Sequence, residues 1–227
     1  MQRRAWTLIE LLVVVAILSL LVTIAVPALS GAIELARVAR AKAELCNVCL
    51  ALEVYAQEHD RRYPPQQSYC SEALWEHSAQ LPPELAAGGY LPAPPPGALR
   101  SAAVEDVFMP GQTYKYQKPG WGLHNNAAVP KGLWIPDGFP NDPPDADPAT
   151  IARTRYDNVS MPTDADGDVI PSPIRYALWS VGPRYDPGEG APPLAPVAKS
   201  SWYAGCGQAG VVPFLVTREG QHITCGK

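Results

Sequence analysis

The chain has 227 residues, 47% of them hydrophobic and 18% charged, and its 18 Lys and Arg against 22 Asp and Glu leave a net charge of −4. That charge excludes a strongly basic nucleic-acid binder, the hydrophobic share excludes a disordered chain, and a single long apolar run excludes a polytopic transporter. The averages conceal two unlike regions: of 26 prolines only Pro27 precedes residue 62, whereas the stretch from Leu11 to Ile33 contains no charged residue.

As a helix that uncharged stretch would be about 35 Å long at 1.5 Å per residue, enough to cross a hydrocarbon core of about 30 Å. Arg3 and Arg4 precede it, and the positive bias leaves the N-terminus in the cytoplasm and the rest of the chain outside. A secretory signal peptide has the same basic start and apolar core. Its core is usually shorter, however, and here a helical pattern follows without a break. Glu10 opens the run, and a carboxylate near lipid costs a few kcal/mol unless it is paired, which makes it a functional candidate. Pro27 lies inside the expected helix, where it removes a hydrogen bond and crowds the preceding turn, so a bend is expected there.

The segment Ala5-Trp6-Thr7-Leu8-Ile9-Glu10-Leu11-Leu12-Val13 resembles the class III signal of type IV pilins and type II secretion pseudopilins. The family usually carries Gly where Ala5 stands and Phe where Trp6 stands, and both replacements are close in size or character. The resemblance implies that a prepilin peptidase cuts between Ala5 and Trp6, leaving a leader of residues 1–5, and that the new Trp6 amine is N-methylated. It also implies that Glu10 is the assembly carboxylate, which meets the positive amine of a neighbouring subunit, and that the helix kinks or loosens at Pro27. The implied partners are like subunits in a homopolymer, the peptidase, an assembly ATPase and an inner-membrane platform protein.

From Glu34 to Asp60 the chain has neither Gly nor Pro, and apolar residues recur at Leu35, Val38, Leu45, Val48, Cys49, Leu52, Tyr55 and Ala56. Spacings of three and four predict an amphipathic helix that buries this stripe against a domain. Arg37, Arg40 and Lys42, with Glu34 and Glu44, form a mixed-charge collar where the helix leaves the bilayer. Ala51-Leu52-Glu53-Val54-Tyr55 followed by His59-Asp60-Arg61-Arg62-Tyr63-Pro64 resembles the end of the long helix in major pseudopilins. Gly89-Tyr90-Leu91-Pro92 resembles the close of their next short helix, and Tyr176 to Pro183 a strand with its glycine turn. The expected organisation is a membrane and polymerisation helix at 6–33, an amphipathic half at 34–62 and an extracytoplasmic domain at 63–227.

The expected fold class is α+β and pilin-like: a long N-terminal helix packed on a small antiparallel sheet with long Pro-rich loops. Strands are expected at Tyr114 to Tyr116, Gly132 to Ile135, Ile174 to Val181 and Val211 to Val216. Proline-dense segments such as Leu91 to Pro96 and Gly138 to Pro144 lack the amide donors that an interior strand needs.

The odd cysteine count and an oxidising compartment suggest disulfides with one thiol left over. Cys206 and Cys225 pair naturally as a staple of the C-terminal tail, which also resembles the C-terminal disulfide loop of many pilins; Cys49 is favoured with Cys70, leaving Cys46 free. Asp164, Asp166 and Asp168 alternate around Gly167, a spacing that suits calcium, with an exposed Asp/Gly turn as the alternative. The twelfth position from Asp164 is Arg175, which excludes a full EF-hand.

No cofactor other than that candidate calcium is indicated, and no nucleophile motif, metal-spaced histidine pair or phosphate loop appears. The resemblance therefore points to a non-enzymatic structural subunit of a pilus-like or type II secretion pseudopilus filament. It would be single-pass in the cytoplasmic membrane before assembly, then periplasmic or at the cell surface. The alternative is a membrane-tethered extracytoplasmic binding or enzymatic domain that keeps a pilin-like anchor.

Overall fold

The computed structural model describes residues 7–68, 80–98, 100–130, 132–147, 149–157, 159, 161–186 and 196–226. Helix α1 runs unbroken from Leu8–Glu58 and passes through Pro27. Its C-terminal half buries Val38, Leu45, Val48, Cys49, Leu52 and Ala56 of the stripe expected from the spacing, together with Ala41 and Ala51; Tyr55 is half-buried and Leu35 stays 53% exposed. Leu35 lies at a level the domain already reaches, through Glu34, but on a face of the helix that the domain leaves uncovered.

A four-stranded sheet packs on that stripe in the order β2 (Lys115–Gln117), β7 (Ile174–Ser180), β8 (Val212–Thr217), β9 (His222–Thr224), all antiparallel. Alternation divides its side chains cleanly. Tyr176, Leu178, Val212, Phe214 and Val216 join the helix-side core, while Ala177, Trp179 and Leu215 join a second core on the other face. A register shift between Ile174 and Tyr176 puts both residues on opposite faces despite their even spacing, the expected result of one extra residue in the strand. Pro213 pairs with Trp179 but lies beyond the reach of β9, so its missing amide breaks no ladder bond there.

The second core is roofed by the hairpin of β5 (Leu133–Pro136) and β6 (Arg153–Tyr156), through Leu133, Ile135 and Tyr156. A third sheet joins β1 (Gln66–Ser68), β3 (Trp121–His124) and β4 (Ala127–Pro130). Here β1 and β3 run parallel, a correction to the wholly antiparallel expectation; the chain between them, with α2 (Pro83–Ala87) and β2, supplies the crossover that parallel pairing requires. Strands β1, β3, β4, β6 and β9 were not expected from composition.

The α2 helix ends as its resemblance implied: Gly89 at φ +75° turns the chain, and the amides of Tyr90 and Leu91 return to the carbonyl of Leu85. The turn after β7 needs glycine for two reasons. Gly182 has φ +76°, and a side-chain carbon there would collide with the carbonyl oxygen of Gly210.

Candidate functional site

Among the described residues, no hydrogen bond or ion pair joins the stretch from Leu8 to Ser30 to the domain, whose first contact is Cys206 against Gly31. Every large apolar side chain from Leu8 to Ile33 is exposed, from 45% at Val14 to 78% at Leu8. A helix apolar all round needs lipid or other helices for its surroundings. Its hydroxyls are satisfied internally: Ser19 donates to the Val15 carbonyl at 2.8 Å, Thr23 to Ser19 at 2.8 Å and Ser30 to Pro27 at 2.9 Å. Such bonds let polar side chains enter hydrocarbon. Pro27 offers no amide to the carbonyl of Thr23, which makes that turn the weakest in the free half.

At the tip, Thr7 and Glu10 form a reciprocal cap. The Glu10 carboxylate accepts the Thr7 amide at 2.8 Å and the Thr7 hydroxyl at 2.8 Å, and the Thr7 oxygen accepts the Glu10 amide at 3.3 Å. A capping box of this kind satisfies amides that the first turn cannot pair. Glu10 therefore has local partners in the isolated chain, and it remains exposed. Ala5 and Trp6, the expected processing residues, lie outside the described residues.

The C-terminal half is tied to the domain by a series of helix carboxylates, each taking a tyrosine hydroxyl. Glu34 accepts Tyr203 at 3.1 Å and the Gly207 amide at 2.9 Å; Glu44 accepts Tyr114 at 2.6 Å; Glu53 accepts Tyr63 at 3.0 Å and Tyr176 at 2.8 Å; Glu58 accepts Tyr90. Glu34 to Glu58 spans about 36 Å of helix, so the domain is held in register along its whole length. Burial first, with the facing carboxylate adding to it, raises three of these phenols: Tyr203 is pushed up to about 12, Tyr114 and Tyr176 well above the usual range; at Tyr90 the Glu58 hydrogen bond is the first cause.

The expected staple of Cys206 and Cys225 is not formed, and both are free thiols. Cys206 sits against Gly31, and the Cys225 carbonyl accepts the Lys42 ammonium. Cys49 is also free; its thiol lies 3.2 Å from the Tyr176 oxygen and donates to it, since that hydroxyl's proton goes to Glu53. Its expected partner Cys70 lies outside the described residues. Burial raises the Cys49 and Cys225 thiols, which disfavours thiolate.

Nor does the structure gather Asp164, Asp166 and Asp168 into a ligand set. One Asp164 carboxylate oxygen turns inward to accept the amides of Asp166 at 3.0 Å and Asp168 at 2.9 Å, which closes an Asp/Gly turn. Among the described residues no group of three or more His, Cys, Asp or Glu side chains is placed to hold a metal ion. Adding millimolar calcium or a chelator is accordingly expected to leave the melting temperature of the full chain unchanged within about 1 °C; a calcium-dependent rise of several degrees would restore the loop to a metal role.

A domain clamped to one half of a helix, with the other half bare and long enough to cross a membrane, defines a class: a domain on a single-helix anchor. A narrower likeness comes from the tip. The prokaryotic N-terminal methylation motif matches residues 1–26, the stretch that contains Glu10 and the first part of the bare apolar run. The long helix on small sheets fits a pilin-like fold. No curated protein and no solved structure matches the chain.

Proposed function

We propose that this protein is a structural subunit of a type IV pilus-like or type II secretion pseudopilus filament. The observation that carries the reading is the bare apolar half of α1, headed by Glu10 and projecting from a domain clamped rigidly to the other half. In this reading the leader 1–5 is cut between Ala5 and Trp6 and the Trp6 amine is methylated. Residues 6–33 hold the subunit in the cytoplasmic membrane and then form the filament core, while 34–62 and 63–227 lie outside. Assembly transfers the apolar surface from lipid to neighbouring helices, and an assembly ATPase with its inner-membrane platform drives the extraction.

Two measurements test this. Mass spectrometry of the mature protein should find a chain that begins at methylated Trp6; an intact Met1, or a cut beyond Ile33, overturns the processing. Electron microscopy of sheared or purified material should show filaments that contain the protein. A processed chain that stays monomeric in cells with working assembly machinery removes the filament role.

A further inference from the structure

The domain reaches its lowest point on the helix at Gly31 and Glu34, immediately beside the end of the uncharged run at Ile33. A groove of about 690 Å³ opens there between the helix and the domain. Ile33, Arg37 and Arg40 form its helix wall, and Phe108, Arg184 and Tyr185 stand on the domain side. Arg184 lies close to Gly207, whose amide binds Glu34, which fixes it at this end of the domain. Neither Arg37 nor Arg184 has an ion-pair partner among the described residues, and the Tyr185 hydroxyl is shielded without a hydrogen-bond partner.

The acidic groups around the groove are already engaged, Asp186 beside Tyr185 included. Asp106 accepts Ser180, Val181 and Phe108; Glu105 accepts Arg100 and the Gly111 amide; Glu34 accepts Tyr203 and Gly207; Glu44 pairs with Arg40. What remains unanswered is positive charge from two segments of the chain. With the uncharged run in hydrocarbon, Arg37 and Arg40 lie about 6 and 10 Å beyond its end, and flexible arginine stems lower the guanidinium groups into the headgroup layer. Tyr185 and Phe108 suit the same depth, where aromatic rings collect.

We infer that this groove binds the phosphate of an anionic phospholipid headgroup, held between Arg37 and Arg184 with Arg40 at its edge. Arginine matches phosphate oxygens with a planar fork of donors, and such a site sets the height and tilt of the subunit at the bilayer surface. The inference rests on the membrane-anchor part of the reading above and not on polymerisation.

The full chain in mixed micelles, offered phosphatidylglycerol and phosphatidylcholine of equal chain length, tests it by native mass spectrometry of retained lipid. A preference for phosphatidylglycerol of at least about five-fold is expected, on the order of what one or two basic residues give at an anionic surface, falling below about two-fold in R37A/R184A. R37E/R184E should reverse the preference, and R61A/R62A, at the far end of α1, should leave it intact. An unchanged preference in R37A/R184A overturns the proposal. So does full displacement by millimolar inorganic phosphate, which would make the groove a free-phosphate site. Lost polymerisation in R37A/R184A with unchanged lipid preference also overturns it and assigns the groove to a subunit interface. A chain that fails to enter bilayers at all refutes the anchor reading instead.

Discussion

Glu10→Ala is expected to reduce filament assembly at least about 100-fold while leaving membrane insertion and the folded domain intact. In the isolated chain Glu10 caps its own helix through Thr7, and losing that cap costs on the order of 1 kcal/mol in a terminal turn far from the domain. The larger effect comes on assembly. In the proposed filament the carboxylate would exchange Thr7 for the positive amine of the adjoining subunit, and removing one member of a charge pair in a low-dielectric bundle costs roughly 3 kcal/mol or more. Since about 1.4 kcal/mol is a factor of ten, one interface already loses about 100-fold, and a filament repeats the loss at every subunit. Glu10→Gln separates charge from capping, because the amide keeps an oxygen for Thr7 but brings no charge; it should fail as Ala does. Filament counts by electron microscopy, beside circular dichroism of the same variants, give the result. Normal filaments from Glu10→Ala would remove the assembly role, and normal filaments from Glu10→Gln alone would show that hydrogen bonding suffices.

The sequence made the long helix legible because two periodic signals meet in it: an uncharged run of membrane length, then an apolar stripe that breaks only at Leu35. Strands β7 and β8 were legible for the same reason, being continuous apolar runs covered on both faces. What could not be read was long-range pairing of polar groups. Glu34, Glu44 and Glu53 look like an ordinary solvated helix face, and their tyrosine partners lie as far as 169 residues away in the chain. Proximity of Cys206 and Cys225 in the tail does not by itself join their thiols, which are both free here. In the Asp164 loop, alternate carboxylates look the same whether they face a cation or, as found, their own backbone amides.

Lys115 shows most sharply how a second layer defeats alternation. Between Tyr114 and Tyr116, both packed on the helix side, a lysine would be read as the solvent-facing residue of a surface strand. The hairpin β5–β6 covers that other face, and Lys115 is wholly buried with its ammonium lacking any hydrogen-bond partner. Burial pulls it down to about 8, with Asp106 opposing the shift. Asp106 is itself 1% exposed; burial pushes its carboxyl up, while bonds from Ser180 at 2.6 Å, Phe108 at 3.0 Å and Val181 at 2.9 Å hold it down.

Asp106→Ala should therefore destabilise the full chain by about 3–5 kcal/mol. It strips Lys115 of the carboxylate that faces it and leaves the buried Val181 amide, the half-buried Phe108 amide and the Ser180 hydroxyl without their acceptor, beside the turn at Gly182. Adding Lys115→Met to that variant should recover about 1–3 kcal/mol, because the uncompensated ammonium is then gone. The pH dependence has a definite sign. The folded-state value of Lys115, about 8, lies below the unfolded value of 10.5, so between them the unfolded chain holds more protons and stability rises with pH. Below pH 8 the full penalty remains, at roughly 3 kcal/mol for that displacement. Unfolding in detergent, followed by near-ultraviolet circular dichroism from pH 7 to 9.5, should show the rise in the native chain and its loss in Lys115→Met. That window stops short of the tyrosines, whose raised values act in the opposite direction at higher pH; the raised Cys49 and Cys225 thiols oppose the rise near its upper end, equally in both chains, so the difference from Lys115→Met isolates the lysine. An Asp106→Ala loss below about 1 kcal/mol, or a double variant as unstable as the sum of both single losses, would mean that Asp106 does not compensate the buried ammonium.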